Sequence, residues 1–147
     1  MRAPFQTLTI LYKKKEEKIQ YCIFYRNSHP IWQFLSGGGE NKETPIETVI
    51  REVKEETSII IKEDDIKQLD SESTIPVINI TGEYTWGDNI YVIPEYTFAV
   101  NIKNFEIKLS SEHKEYKWVE YREAMEKLKY DSNKTALWEL NERLKKL

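Results

Sequence analysis

A single cysteine, Cys22, in 147 residues excludes an intrachain disulfide framework and any cysteine-rich zinc site. It stands among Tyr21, Ile23 and Phe24, where packing within a strand is its expected role. No apolar run approaches membrane-spanning length. Met1-Arg2-Ala3-Pro4 lacks the charged-then-apolar layout of a signal peptide, so a cytoplasmic protein is expected. There is no excess of positive charge either. The formal net charge is −3, which gives no general attraction for a phosphate backbone and speaks against nucleic-acid binding. Glycine and proline are scarce, five of each, and three of the glycines stand in one run. What is abundant is aromatic: four Trp, nine Tyr and five Phe are too many for a disordered chain and, at this length, supply one core.

Thr7 to Tyr12 and Ile19 to Tyr25 read as two strands of a hairpin joined by the charged turn Lys13 to Lys18. Asn27-Ser28-His29-Pro30 breaks the chain, with His29 a turn residue rather than a ligand. The short apolar stretch Ile31 to Leu35 then runs into Ser36-Gly37-Gly38-Gly39, read as a flexible loop that turns sharply or approaches a ligand. Thr44-Pro45-Ile46-Glu47 opens a helix with an N-cap, a proline at the first position and a capping-box Glu. Ile46, Val49, Ile50 and Val53 continue it at helical spacing, to an end near Thr57 or Ser58. Ile59-Ile60-Ile61 predicts a strand, Lys62 to Asp70 a loop or short helix, and Ser73 to Ile80 a strand. Gly82 to Asn89 predicts a loop, Ile90 to Ile102 a strand with Pro94 at an edge or bulge, and Tyr116 to Val119 a last strand. Tyr121 to Leu128 and Lys134 to Leu147 predict helices separated by the turn Asp131-Ser132-Asn133. Trp118 and Trp138 are expected in the core. This order gives an α/β (α+β) fold, a mixed β-sheet with helices against it, and one domain over residues 1–147.

The helix carries the chemistry. Glu52, Glu55 and Glu56 fall within an arc of about 100°, beside the apolar stripe. Arg51, Lys54 and Glu47 fall on the other flank, which leaves the acidic arc without a cation of its own helix. Like charges at these spacings cost roughly 0.2–0.5 kcal/mol per pair on a wet surface, and far more in a cleft. A divalent cation would remove that cost, and oxygen-only ligands favour Mg²⁺, Mn²⁺ or Ca²⁺ over zinc. The alternative is a plain solvated acidic face.

Gly37, five residues, Glu43, seven residues and then Arg51-Glu52-Val53-Lys54-Glu55-Glu56-Thr57-Ser58-Ile59 resembles the Nudix box at every specified position but one, Ser58 replacing the final Gly. His29-Pro30-Ile31-Trp32-Gln33, the segment Ser111 to Val119 and Asp131-Ser132-Asn133 are similar to the dihydroneopterin triphosphate pyrophosphatase branch, also described as dATP pyrophosphohydrolase. The resemblance implies a Nudix-type α/β/α sandwich. It implies a Mg²⁺-dependent hydrolase (Mn²⁺ an alternative cofactor) that cuts a diphosphate linkage in a nucleotide or pterin triphosphate, as a monomer or homodimer. It implies metal ligands at Glu52, Glu55 and Glu56, with Glu52 either ligand or base. The Gly37 carbonyl and Glu112 are further candidate ligands, Glu112 against the alternative of a surface carboxylate. Arg51 would orient Glu52 or another carboxylate, an i,i+4 bridge to Glu47 or Glu55 being compatible with that. Glu43 would stand behind the site or simply favour the helix N-terminus by its charge. Arg26 is either a phosphate contact or a solvated strand end, and Gly38 and Gly39 offer backbone groups to substrate. Trp32, Trp86 and Tyr84 are candidates for stacking on a base or pterin, Trp32 foremost, against rim or core packing. His113 reads as structural. The competing functions are a Nudix enzyme acting on ADP-ribose or dinucleoside polyphosphates, and a non-catalytic nucleotide-sensing module.

Overall fold

A computed structural model describes every residue except His29, and Lys114 without its side chain; the expectation for His29 lies outside the described residues. The elements are β1 (Arg2–Lys15), β2 (Lys18–Arg26), β3 (Trp32–Gln33), β4 (Leu35–Glu40), α1 (Pro45–Thr57), a 3₁₀ turn (Glu63–Asp65), β5 (Ile66–Pro76), α2 (Ile78–Thr81), β6 (Val92–Asn101), β7 (His113–Val119), α3 (Tyr121–Lys127) and α4 (Asp131–Lys145). They form a seven-stranded mixed sheet in the order β3-β2-β1-β6-β5, with β4 also on β1 and β7 also on β2. Among the described strand pairs, β1 and β6 run parallel and the others antiparallel.

Period-2 alternation sorts the core into two layers. Leu8, Ile10, Tyr21, Ile23 and Ala99 face α3 and α4, meeting Ala124, Leu128, Ala136, Leu137, Leu140 and Leu144. Cys22, Phe24, Phe98, Val100 and Ile102 face the other way, onto Val49 and Val53 of α1. The result is an α/β/α sandwich with α1 on one face and α3 and α4 on the other. Cys22 is buried as expected, and burial pushes its thiol well up, so it packs rather than reacts.

Several expectations are corrected. Among the described residues Ile59 to Ile61 joins no strand; Ile59 and Ile61 are buried in the α1 layer and Ile60 is exposed, so an apolar run here is a packing strap. The strand expected from Ser73 starts at Ile66 and stops at Pro76, where the chain enters α2. Pro94 is tolerated within β6 because β1 pairs only from Glu95 onward. Asp131-Ser132-Asn133 forms the first turn of α4, not a separating turn; the buried Asn133 Oδ1 accepts the Phe34 N–H at 2.8 Å. Trp138 is exposed on α4, and Trp118 is half-buried with Lys13 Nζ 4.1 Å above its ring.

The helix α1 begins as its sequence dictates. Thr44 Oγ1 accepts the Glu47 N–H at 3.2 Å while Glu47 Oε1 accepts the Thr44 N–H at 2.9 Å. It ends on Ser58 in the left-handed region, φ 64°, its N–H donated to the Lys54 carbonyl. That backbone is costly for a residue with a Cβ. Ser58→Gly is therefore expected to stabilise the protein by about 0.5–1 kcal/mol, net of the extra freedom glycine has when unfolded, as a higher urea midpoint at constant m-value.

Candidate active site

The glycine run is a strand, not a loop. Gly37, Gly38 and Ser36 pair with Thr7, Gln6 and Leu8 of β1, and none of the three glycines has positive φ. Their smallness serves close approach instead. A methyl group on Gly37 would fall on the Glu52 carboxylate, one on Gly38 on the Arg2 guanidinium, and one on Gly39 on the Phe5 ring. This strand is the floor on which the Glu52 side chain of α1 lies.

The arc does have a cation from its own helix. A wheel treats side chains as radial, but Arg51 is long enough to bend back along the helix. Its Nη1 donates to Glu52 Oε1 at 3.0 Å and to Glu55 Oε1 at 3.2 Å. Its Nε and Nη2 grip both oxygens of Glu43 at 2.7 and 3.0 Å, and Nη2 also reaches the Gly38 carbonyl at 2.8 Å. Glu43 in turn accepts from the Glu40 N–H and the Thr48 hydroxyl. Arg51 and these hydrogen bonds hold Glu43 below the usual carboxylate range, although burial pushes the other way. One guanidinium thus ties β4, the loop before α1 and two carboxylates of α1 into a single fork.

Burial dominates at Glu52 and pushes its carboxyl up to about 7; Arg51 pulls it down, and the charges of Glu55 and Glu56 push it up. Glu55 is half in solvent. Glu56 points into the protein. Burial raises its carboxyl, but hydrogen bonds from His113 and Ser110 outweigh that and leave it below the ordinary value. Ser110 Oγ lies 2.5 Å and His113 Nδ1 3.0 Å from Glu56 Oε2. Glu112, on the loop before β7, is exposed; partial burial and the charge of Glu56 both raise its carboxyl. Ligand atoms of Glu56, Glu112 and His113 lie within 4.8 Å of one another. The loop carrying them is fastened to the end of α1: Lys108 N–H donates to the Thr57 carbonyl and Ser110 N–H to that of Glu56, at 2.9 and 3.1 Å.

A cleft of about 430 Å³ gathers these parts, lined by Arg2, Gln6, Arg26, Gly37 to Glu40, Glu52 and Glu112. A larger open groove, about 1490 Å³, lies at the hairpin tip among Lys13 to Lys18, Phe105 and Trp118 and contains none of the α1 carboxylates. Volume and chemistry point to different places, and the carboxylates decide for the smaller one. Arg26, Glu52, Glu112 and the three glycines therefore meet in one cleft. Arg51 and Glu43 stand behind it, and Glu56 joins it through Glu112. Trp32 does not line it: it lies in β3 with its ring edge-on to Tyr25 at 5.2 Å and its backbone bridged to Leu128. Arg2, Gln6 and Ser110 were not anticipated, since isolated polar residues outside any motif give no signal; His113, read as structural, lies in the carboxylate cluster.

Residues 8–139 match the sequence profile of the NUDIX domain. The chain belongs to the Nudix family. This Nudix hydrolase is 30% identical over 132 residues to a dihydroneopterin triphosphate diphosphatase of Haemophilus influenzae, covering 88% of this chain and 82% of the relative. Among solved structures it is similar to a Listeria monocytogenes protein assigned as a NUDIX hydrolase, at 41% identity and TM-score 0.85, covering 98% of this chain and 96% of that one. The Escherichia coli dihydroneopterin triphosphate pyrophosphohydrolase shares the fold at 22% identity and TM-score 0.74, covering 95% and 97%. Among the described residues no helix is long and apolar enough to cross a membrane.

Carboxylate oxygens dominate the cluster, and the one nitrogen, His113 Nδ1, is already engaged with Glu56. Such a donor set suits a hard divalent cation rather than a soft one. Burial, and after it the charges of neighbouring carboxylates, raises Glu52 and Glu112, and a bound cation would offset both.

Proposed function

We propose that this chain is a single-domain, Mg²⁺-dependent pyrophosphohydrolase. Its substrate is a nucleoside-triphosphate-like molecule, dihydroneopterin triphosphate or a deoxynucleoside triphosphate such as dATP, which it splits into diphosphate and a monophosphate. The observation that carries the reading is a cleft in which Glu52 and Glu112 face a glycine strand and two arginines, with Glu56 clustered beside Glu112. The similarity to the Haemophilus influenzae diphosphatase supports the substrate class.

In this reading Glu55, Glu56 and Glu112 would hold Mg²⁺, with the Gly37 carbonyl a further candidate ligand, and Glu52 is kept free as the base. When bound, the ion polarises a phosphoryl oxygen and lowers the pKa of a water. The chain's own groups do the rest. Arg51 fixes the rotamer of Glu52. Glu52, with a carboxyl near 7, is matched to taking the proton of the attacking water at neutral pH. Water adds at phosphorus, its proton passes to a Glu52 carboxylate oxygen, the bridging P–O bond breaks and diphosphate leaves with that electron pair. His113 and Ser110 keep Glu56 ionised and aimed.

The test is a panel of dihydroneopterin triphosphate, deoxynucleoside triphosphates, ADP-ribose and diadenosine polyphosphates with Mg²⁺, scored for diphosphate and phosphate. Diphosphate release from a triphosphate at the highest kcat/KM is expected. Preference for ADP-ribose or a dinucleotide would replace the substrate class, and tight binding without turnover of any member would replace the enzyme by a nucleotide sensor.

A further inference from the structure

Of the acids assigned to the cation, Glu112 alone does not ride on α1. It stands exposed on the loop before β7, where a free backbone would let a long side chain swing away from its partners. The backbone on either side of it is instead tied at three points. The peptide between Ser111 and Glu112 is held at both ends: its carbonyl accepts the Asn27 side-chain amide at 2.5 Å, and its N–H donates to Ser110 Oγ at 3.2 Å. The next peptide is held as well, the Glu112 carbonyl accepting the Asn27 N–H at 3.2 Å. Ser110 Oγ also donates to Glu56 Oε2, so one hydroxyl joins the backbone of Glu112 to the carboxylate of Glu56. Peptide units are rigid planes, and fixing the two that flank Glu112 fixes the direction in which its side chain leaves the chain.

Asn27 reaches this loop because of how the sheet ends. β2 and β7 pair residue for residue from Tyr21 with Val119 to Tyr25 with Glu115; then the register slips and Arg26 pairs with His113. A slip of this kind re-aims the strand that carries the extra residue, and here His113 Nδ1 meets Glu56. Past the slip Asn27 continues the ladder, its main chain and its side chain each taking one carbonyl of the loop. The residue type matters. Asn carries a donor on a short side chain, whereas Asp in its place would set a carboxylate against the Ser111 carbonyl. An exposed Asn in an ordinary chain break has water for a partner; this one spans 84 residues to the two peptides beside a single acid.

We propose that Asn27 is a positioning residue for the cation site. It acts through the backbone of residues 111 and 112 to hold the Glu112 carboxylate beside Glu56, where their ligand atoms and that of His113 lie within 4.8 Å of one another. This assignment rests on the hydrolase reading above. In this role Asn27 touches neither cation nor substrate. The loop is ordered before the cation arrives, so binding does not have to order it. Supports of this kind, one step removed from the ligands, tune metal affinity more than they take part in the reaction.

The experiment is titration of Mn²⁺ into the full chain without substrate, with free Mn²⁺ followed by electron paramagnetic resonance, beside turnover measured over a range of Mg²⁺ concentrations. Asn27→Ala should weaken Mn²⁺ binding by roughly three- to tenfold, with the melting temperature held within about 2 °C. The Mg²⁺ concentration giving half-maximal rate should rise in step, while kcat at saturating Mg²⁺ changes less. Asn27→Asp separates geometry from charge. An added negative charge near the site would by itself tighten a cation, but the lost donor should make binding weaker than wild type here too. Unchanged Mn²⁺ affinity in Asn27→Ala, or tighter binding in Asn27→Asp, would overturn the latch, as would a wild type that takes up no Mn²⁺. Triphosphate turnover in the panel combined with indifference to Asn27 would sink the latch alone and leave the hydrolase standing. Weakened Mn²⁺ binding without turnover of any substrate would keep the latch and end the hydrolase reading.

Discussion

Glu56→Gln is expected to lower turnover by roughly 10²–10⁴-fold while the protein folds and melts almost as before. The substitution is close to isosteric. Its amide oxygen still accepts from Ser110, so the pocket that holds Glu56 keeps its shape and a partner. What vanishes is one negative charge beside Glu112, the charge that His113 and Ser110 together stabilise. The loss should appear in kcat, and the Mg²⁺ concentration giving half-maximal rate should rise, because one carboxylate of the cation site is gone. Thermal melting followed by circular dichroism separates this from unfolding. Unchanged turnover in a folded Glu56→Gln protein would contradict the proposed ligand role.

Gly37→Ala should give the second largest effect, from the opposite direction: no charged group is removed, but one is moved. The added methyl falls on the Glu52 carboxylate, which must leave its place on β4 and with it the hydrogen bond from Arg51. Because the displaced atoms are the end of a flexible side chain, the fold should lose no more than about 1 kcal/mol. A misplacement of about 1 Å at a reacting group is enough to cost roughly 10²-fold in rate. Steady-state kinetics beside a urea titration tests the split. A variant as active as wild type would show that Glu52 need not rest against Gly37.

How far the sequence foretold all this differs from element to element. The start of α1 was legible because capping is local: Thr44, Pro45 and Glu47 satisfy each other within one turn. A mixed sheet with helices against it was legible from the order of strand-like and helix-like segments; the α/β/α layering came from the family resemblance, since Tyr21, Cys22, Ile23 and Phe24 are apolar on both faces and show no alternation in sequence. The glycine strand was not legible, since a residue without a side chain shows no alternation, and the reason for each glycine lies with Arg2, Phe5 and Glu52, far off in sequence or across the fold. The reach of Arg51 to Glu52 was invisible on the helical wheel, because angular position ignores side-chain length, and came only from the family resemblance. The surroundings of Glu56 needed tertiary structure: Ser110 and His113 stand 54 and 57 residues away. Trp32 was favoured for stacking from its nearness to the glycines along the chain, a nearness that does not carry into the cleft.

The fastening of the Lys108 to Glu112 loop onto the last carbonyls of α1 bears on how the site behaves over time. Those carbonyls lack partners within the helix, and the loop amides supply them. Fraying of the final helical turn and detachment of the later acidic arm are therefore one event, not two. The centre is assembled or dismantled as a whole, without a half-open form in which three acids stay put while the fourth wanders.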